Sequence, residues 1–280
     1  MSKKFCSYYL DTPIVTGRCF DVFEPEKITR DTAVFFIHGG GWTGGSRVGY
    51  HQIMQFLNDR GWLCASTDYR LASTVRYHGG DGITALDQLK DIREAYDKFV
   101  SILKERHLPL KIAVYGGSAG AHLTSLLATA DPGECGEKVE LVNPWVKPVK
   151  AILQATPTTL EPWEDIFPQG WNMLQACACG WRYEDNPEIF RKLSMTTYLR
   201  SDNPPCFFVE AGNEHIFPPQ RNLEVVDKQR KMGIASFWKI YPGVEHGFVY
   251  DVKTRIQKLA VEDIMHFLCD EAIPGALTGK

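Results

Sequence analysis

The chain has 280 residues, 44% of them hydrophobic, which supplies enough apolar surface for one large core. Its 31 basic and 34 acidic residues leave a net charge of −3, evenly mixed, and this excludes a nucleic acid or an anionic membrane surface as the expected partner. No apolar run approaches the ~20 residues of a membrane helix. The weakly apolar stretch after Lys3-Lys4 stops at Asp11, short of a signal-peptide core, so a soluble cytoplasmic protein is expected. The eight scattered cysteines then read as reduced thiols.

Residues 5 to 30 alternate briefly, as in Arg18-Cys-Phe-Asp-Val-Phe23, and predict a leading antiparallel strand or hairpin. Thr32-Ala-Val-Phe-Phe-Ile37 is a continuous apolar run, the pattern of a strand buried on both faces. It ends in His38-Gly39-Gly40-Gly41-Trp42, where successive glycines let backbone N–H groups face a ligand without a Cβ in the way. Such a loop suits an oxyanion. The plainer reading is a strand-to-helix turn, with Ser46 capping a helix to about Asn58. His78-Gly79-Gly80-Asp81 repeats the letters but follows no apolar strand, and there Asp81 is expected to be a helix N-cap.

Trp62-Leu-Cys-Ala-Ser66 predicts another buried strand, followed by the loop Thr67-Asp68-Tyr69-Arg70-Leu71-Ala72. Apolar positions Ile83, Leu86, Leu89, Ile92, Tyr96, Phe99 and Leu103 recur every three or four residues and predict a long amphipathic helix over 82–105. Lys111-Ile-Ala-Val-Tyr then leads into Gly116-Gly117-Ser118-Ala119-Gly120 and the helix-forming stretch 121–130. Strand, G-x-S-x-G and helix in that order describe a nucleophile elbow, a strained turn that projects the Ser118 hydroxyl above the sheet.

Val149-Lys-Ala-Ile-Leu-Gln-Ala155 predicts a strand, after which the pattern breaks down over 156–199. The tryptophans and other aromatics there, among prolines and glycines, predict a cap-like insertion over the body; packing of those aromatics as a plain surface insertion is the alternative. Strands over 204–211 and 236–241 and helices over 220–232 and 254–269 complete the chain. Strands alternating with helices predict an α/β domain with a mostly parallel sheet and helices on both faces, active groups standing at the strands' carboxyl ends.

Ser118, Glu214 and His246 all fall at such ends, in the chain order Ser, Asp/Glu, His. In that arrangement His246 takes the Ser118 proton and later returns it to the leaving group, while Glu214 orients the imidazole. The N–H groups of Gly40, Gly41 and Ala119 are expected to hold the oxyanion. Bulky Trp42, Phe217 and Phe248 beside these positions are expected to line a short acyl pocket. Cys177-Ala-Cys179 is the only close cysteine pair and no histidines stand at zinc-ligand spacing, so neither metal nor other cofactor is expected.

His38-Gly39-Gly40-Gly41-Trp42, Asp68-Tyr69-Arg70-Leu71-Ala72, Gly116-Gly117-Ser118-Ala119-Gly120 and Glu245-His246-Gly247-Phe248 together resemble the hormone-sensitive-lipase-type carboxylesterases, over about residues 30 to 270. The resemblance implies the α/β-hydrolase fold, an eight-stranded sheet spanning 1–280 as one domain, and hydrolysis of a small-molecule ester. Proteins like bacterial feruloyl and acetylxylan esterases share the motifs, and so do kynurenine formamidases, so an arylformamidase stays open beside the carboxylesterase. A receptor on the same fold, as in plant gibberellin perception, is a third reading, disfavoured because Ser118 and His246 are both present. Two departures stand out. The family's usual Asp, two residues beyond a glycine, is here Glu214 after Gly212, while a register one residue longer falls on His215 and supplies no acid. The leading segment is also short for the family's N-terminal cap helices.

Overall fold

The computed structural model describes residues 3–8, 18–72, 79 and 81–278. Eight strands form one sheet: β1 (Lys3–Tyr8), β2 (Cys19–Glu24), β3 (Ala33–Ile37), β4 (Cys64–Thr67), β5 (Ile112–Gly117), β6 (Lys150–Gln154), β7 (Cys206–Ala211) and β8 (Phe237–Tyr241). Their spatial order is β1-β2-β4-β3-β5-β6-β7-β8. β2 runs antiparallel to β1 and β4, and the remaining neighbours are parallel. This is the α/β-hydrolase sheet expected from the sequence, eight strands and mostly parallel.

The helices are α1 (His51–Asn58), α2 (Ala85–Glu105), α3 (Ala119–Thr129), α4 (Pro168–Met173), α5 (Pro187–Lys192), α6 (Pro219–Lys231) and α7 (Arg255–Leu268). Alternation along the strands divides the core in two. Phe35, Ile37, Val114, Leu153 and Phe208 pack with Leu89, Ile92 and Phe99 of α2, Leu123 and Leu127 of α3 and Val225 of α6. Val34, Phe36, Tyr115, Ile152 and Phe207 point the other way, onto Ile53 and Leu57 of α1 and Val261, Ile264 and Phe267 of α7. Period-two strands buried on both faces therefore require helices on both sides. None of the helices among the described residues is long and apolar enough to cross a membrane.

Two boundaries differ from the sequence reading. Thr84, not Asp81, caps α2: its hydroxyl accepts from Leu86 N at 3.3 Å while Asp87 accepts from Thr84 N at 3.0 Å. That Thr-x-x-Asp box satisfies orphan N–H groups at the helix start, which Asp81 lies too far upstream to reach. His78 and Gly80 of the same stretch lie outside the described residues. The 156–199 segment is also more helical than expected, holding α4, a π-helix over Leu174–Cys179, α5 and a 3-10 turn over Met195–Tyr198. Leu174, Cys177, Cys179, Phe190, Leu193 and Met195 sink into the first core, so much of the segment packs down on the body.

The order β4-β3-β5 reverses the direction in which the sheet grows, and a crevice opens outside the carboxyl ends of β3 and β5. Ile37 pairs with Gly116 there, so the glycine loop after β3 and the Ser118 turn after β5 emerge side by side.

Candidate active site

Ser118 sits between β5 and α3 with φ 55° and ψ −125°, a left-handed conformation unusual for a residue with a Cβ. Ser118 N donates to Gln154 O at 2.8 Å and Ser118 O accepts from His122 N at 3.0 Å, which fixes the turn. Close approach explains Gly120: a Cβ there would lie 2.3 Å from Ile37 O, so only glycine lets α3 start this near the end of β3.

His246 follows β8 and Glu214 follows β7, and the strands are neighbours. Ser118 Oγ lies 2.8 Å from His246 Nε2, and Glu214 Oε2 lies 2.6 Å from His246 Nδ1. The other carboxylate oxygen, Oε1, accepts from Ile216 N at 2.8 Å and Phe217 N at 3.3 Å. Burial alone would push the Glu214 pKa up. The hydrogen bond to His246, the charge of that ring and the two N–H groups outweigh it, holding the carboxyl below its ordinary value. His215 points elsewhere: two-thirds exposed, its Nδ1 lies 3.1 Å from Asn213 O. The structure thus places Glu214, and not its neighbour, against the imidazole.

The loop after β3 carries three successive left-handed residues, Gly40 (φ 126°), Gly41 (φ 57°) and Trp42 (φ 62°). Gly40 O is turned away to accept from Thr43 N and Gly44 N at 3.1 and 2.9 Å. Ala119 supplies the first N–H of α3, a helix terminus that carries partial positive charge. Among the described residues no hydrogen bond uses the N–H of Gly40, Gly41 or Ala119.

The Asp68-Tyr69-Arg70-Leu71-Ala72 stretch, read from sequence as a loop with structural side chains, buttresses this one. Tyr69 stacks on the His38 ring at 4.2 Å and donates its hydroxyl to His38 O at 2.7 Å. Asp68 accepts from Arg47 N at 2.7 Å and pairs with the Arg47 guanidinium. Arg70 and Arg18 converge on the buried Asp91 of α2. Burial keeps His38 neutral, its pKa lowered.

A cleft of about 570 Å³ opens above these groups, lined by Ser118, His246, Gly40, Gly41, Thr43, Met173, Ile216 and Tyr250 among others. Trp42, Phe217 and Phe248 are absent from that lining, which corrects their expected place in an acyl pocket. Trp42 is wholly buried: the left-handed backbone turns its side chain into the core, where Nε1 donates to His122 Nδ1 at 3.2 Å. Phe217 packs behind His246 with ring centroids 5.8 Å apart, and Phe248 rests on Tyr241 at 5.4 Å. His122, which the sequence places in the elbow helix as a structural or solvated histidine, is a strut. Its Nε2 donates to Leu193 O at 2.7 Å, and burial drives its pKa down to about 4, so it serves as a neutral bridge between the glycine loop and the 156–199 segment. No group of three or more metal-ligating side chains occurs among the described residues.

Comparison with known proteins places the chain among esterases in sequence and fold. Esterase LipC of Mycobacterium tuberculosis is 29% identical over 226 residues, covering 77% of this chain and 52% of its own. An acetylxylan esterase of Xylanibacter ruminicola is 23% identical over 240 residues, covering 84% and 45%. The chain spans about half the length of the curated relatives it matches. Among solved structures, the butyrate-bound esterase 2 of Thermogutta terrifontis superposes with a TM-score of 0.76 at 20% identity, covering 95% of this chain and 93% of that one, which shows a shared fold. Three of the four motifs that resemble the hormone-sensitive-lipase-type esterases, those at 38–42, 68–72 and 116–120, lie within a match to the BD-FAE family over residues 20–228, and the chain belongs to that family.

Proposed function

We propose that the protein is a serine carboxylesterase acting on short-chain acyl esters, with Ser118 as nucleophile, His246 as general base and acid, and Glu214 as the acid that orients it. The observation that carries this reading is the continuous hydrogen-bonded chain from Ser118 Oγ through His246 to Glu214 at the floor of an open cleft. His246 Nε2 takes the hydroxyl proton as Oγ attacks the ester carbon, and the developing oxyanion meets the N–H groups of Gly40, Gly41 and Ala119. Donors of this kind are worth about 3–4 kcal/mol of barrier each. The imidazolium then protonates the departing alcohol, leaving an acyl-enzyme on Ser118, and a water molecule repeats the sequence to release the acid.

Short acyl groups are favoured because half-buried Met173 and Ile216 stand in the cleft beside the nucleophile. The 156–199 segment, which supplies Met173, covers one side of the site within a single domain of 1–280. The alcohol half is proposed to be carbohydrate, acetylated or feruloylated, a choice supported by the similarity to a protein named as an acetylxylan esterase. Seven free cysteines among the described residues fit a reducing cytoplasm.

The test combines turnover and labelling. p-Nitrophenyl acetate should be hydrolysed, a fluorophosphonate should add covalently to Ser118, and Ser118→Ala should lose both while keeping its melting temperature. Turnover by Ser118→Ala near that of the parent would refute the serine mechanism, and faster cleavage of an aryl formamide than of the acetate would move the assignment to an amide hydrolase.

A further inference from the structure

We infer that Met173 sets the acyl-chain limit of this cleft, a conclusion that rests on the ester-hydrolase reading and assigns its specificity to a residue. α4 ends at Met173 and the backbone widens at once into the π-helix Leu174–Cys179, which closes on the left-handed Gly180. All six π-helical residues are buried, whereas Met173 is half-exposed. Met173 is therefore the last side chain the segment presents to the cleft before it enters the core. A π-turn at such a point re-aims side chains that a regular helix would place about a third of a turn away.

The thioether lies directly against the glycine loop. A Cβ built on Gly41 would stand 2.8 Å from Met173 Sδ, 3.6 Å from Cε and 4.0 Å from Cγ, so the space a side chain would occupy at 41 is already filled by Met173. One helical turn earlier, Gly170 faces Ile216, whose Cγ2 would lie 3.6 Å from a Cβ there. Met173 and Ile216 thus form an apolar wall across the cleft, joining the glycine loop to the loop that bears Glu214.

Reaction geometry determines which half of the ester meets that wall. The leaving oxygen must face His246 Nε2 to be protonated, and the carbonyl oxygen must face the N–H groups of Gly40, Gly41 and Ala119. The acyl chain takes the direction that remains, away from His246, and runs into Met173. An unbranched thioether blocks this path while staying adjustable, which suits small acyl groups of unequal shape better than a branched or aromatic side chain does.

The experiment compares kcat/KM for p-nitrophenyl acetate, butyrate and octanoate in the parent, Met173→Leu, Met173→Ala and Met173→Trp. The octanoate-to-acetate ratio should rise about tenfold or more in Met173→Ala, stay within about threefold in Met173→Leu and fall in Met173→Trp. Melting temperatures establish that each variant is folded. An unmoved ratio in both Met173→Ala and Met173→Trp overturns the inference, and so does a shift that appears instead in a series of methyl to octyl acetates, where only the alcohol changes. A parent that hydrolyses none of the esters would refute the esterase reading by itself. The acyl limit is then measured as the rate at which ethyl and octyl p-nitrophenyl phosphonates label Ser118, with the same change of ratio expected in Met173→Ala and no change counting against Met173.

Discussion

Glu210 is the fourth residue before Glu214, on β7, and no part of it reaches solvent. One carboxyl oxygen accepts from Asn222 Nδ2 at 2.8 Å, and the other finds no partner among the described residues. Burial raises its pKa to about 8, the Asn222 hydrogen bond working against the rise and the Glu214 charge adding to it. Between pH 4.5 and 8 the native protein therefore keeps a proton that the unfolded chain releases. Stability contributed by this group is fully present below pH 4.5, declines steadily as pH rises, and is gone above pH 8. At about 1.36 kcal/mol for each pH unit, the span from 4.5 to about 8 amounts to about 5 kcal/mol. Glu210→Gln keeps an acceptor for Asn222 and carries no ionisable group, so it removes this dependence; an extra buried N–H costs about 1 kcal/mol at every pH. Urea unfolding followed by tryptophan fluorescence should show the variant level with or slightly below the parent at pH 4.5 and about 4 kcal/mol more stable at pH 8.5. In melting temperature the same gap at pH 8.5 is about 8 °C for a chain of this length. Stability differences that stay equal at the two pH values would refute the argument, because every other titrating group cancels in the comparison.

Glu214→Gln should lower kcat for p-nitrophenyl acetate by about 10⁴-fold, since the imidazole loses both its orienting acceptor and the charge that supports its cation. Glu214→Asp should recover a substantial part, and His215→Ala should change little because that ring faces solvent; the reverse pattern between positions 214 and 215 would refute the assignment. Trp42→Phe leaves His122 Nδ1 buried without its donor and should cost about 1–3 kcal/mol in urea unfolding. A Trp42→Phe protein as stable as the parent would show that the strut contributes nothing.

The parts of the site that the sequence makes legible are those defined by chain order and backbone need. Ser118 is bracketed by glycines that the tight approach of α3 to β3 demands, and Glu214 and His246 follow buried strands that end in loops. The direction of a side chain is a different kind of information. Trp42, Phe217 and Phe248 stand next to site residues in sequence, yet backbone dihedrals and tertiary contacts turn them into the core, behind His246 and onto Tyr241 respectively. Met173 and Tyr250, which do line the cleft, carry no local pattern that distinguishes them from core residues. His122 lies four residues after Ser118, hence one turn along α3, and that spacing alone fails to separate a strut from a filler. The Thr84–Asp87 box, by contrast, is a sequence signal that was there to be read ahead of Asp81.

The same hydrogen bonds tie one end of the 156–199 segment to the glycine loop. Trp42 and Ser118 both hold left-handed backbone conformations at a cost of about 1–3 kcal/mol each, and such strain persists only where neighbours over-determine it. Trp42 O accepts from Gln88 Nε2 at 2.8 Å and Ala72 N at 2.9 Å while its indole donates to His122, so three elements fix one strained residue. His122 in turn is bonded to Leu193 O, which ties the residue just after α5 to the glycine loop. On the proposed esterase reading, adjustment to different esters falls to the other end of the 156–199 segment, where the flexible Met173 side chain lies against Gly41. On that reading, the bond at Leu193 holds the glycine loop in place while Met173 meets the acyl group, so one segment serves both needs.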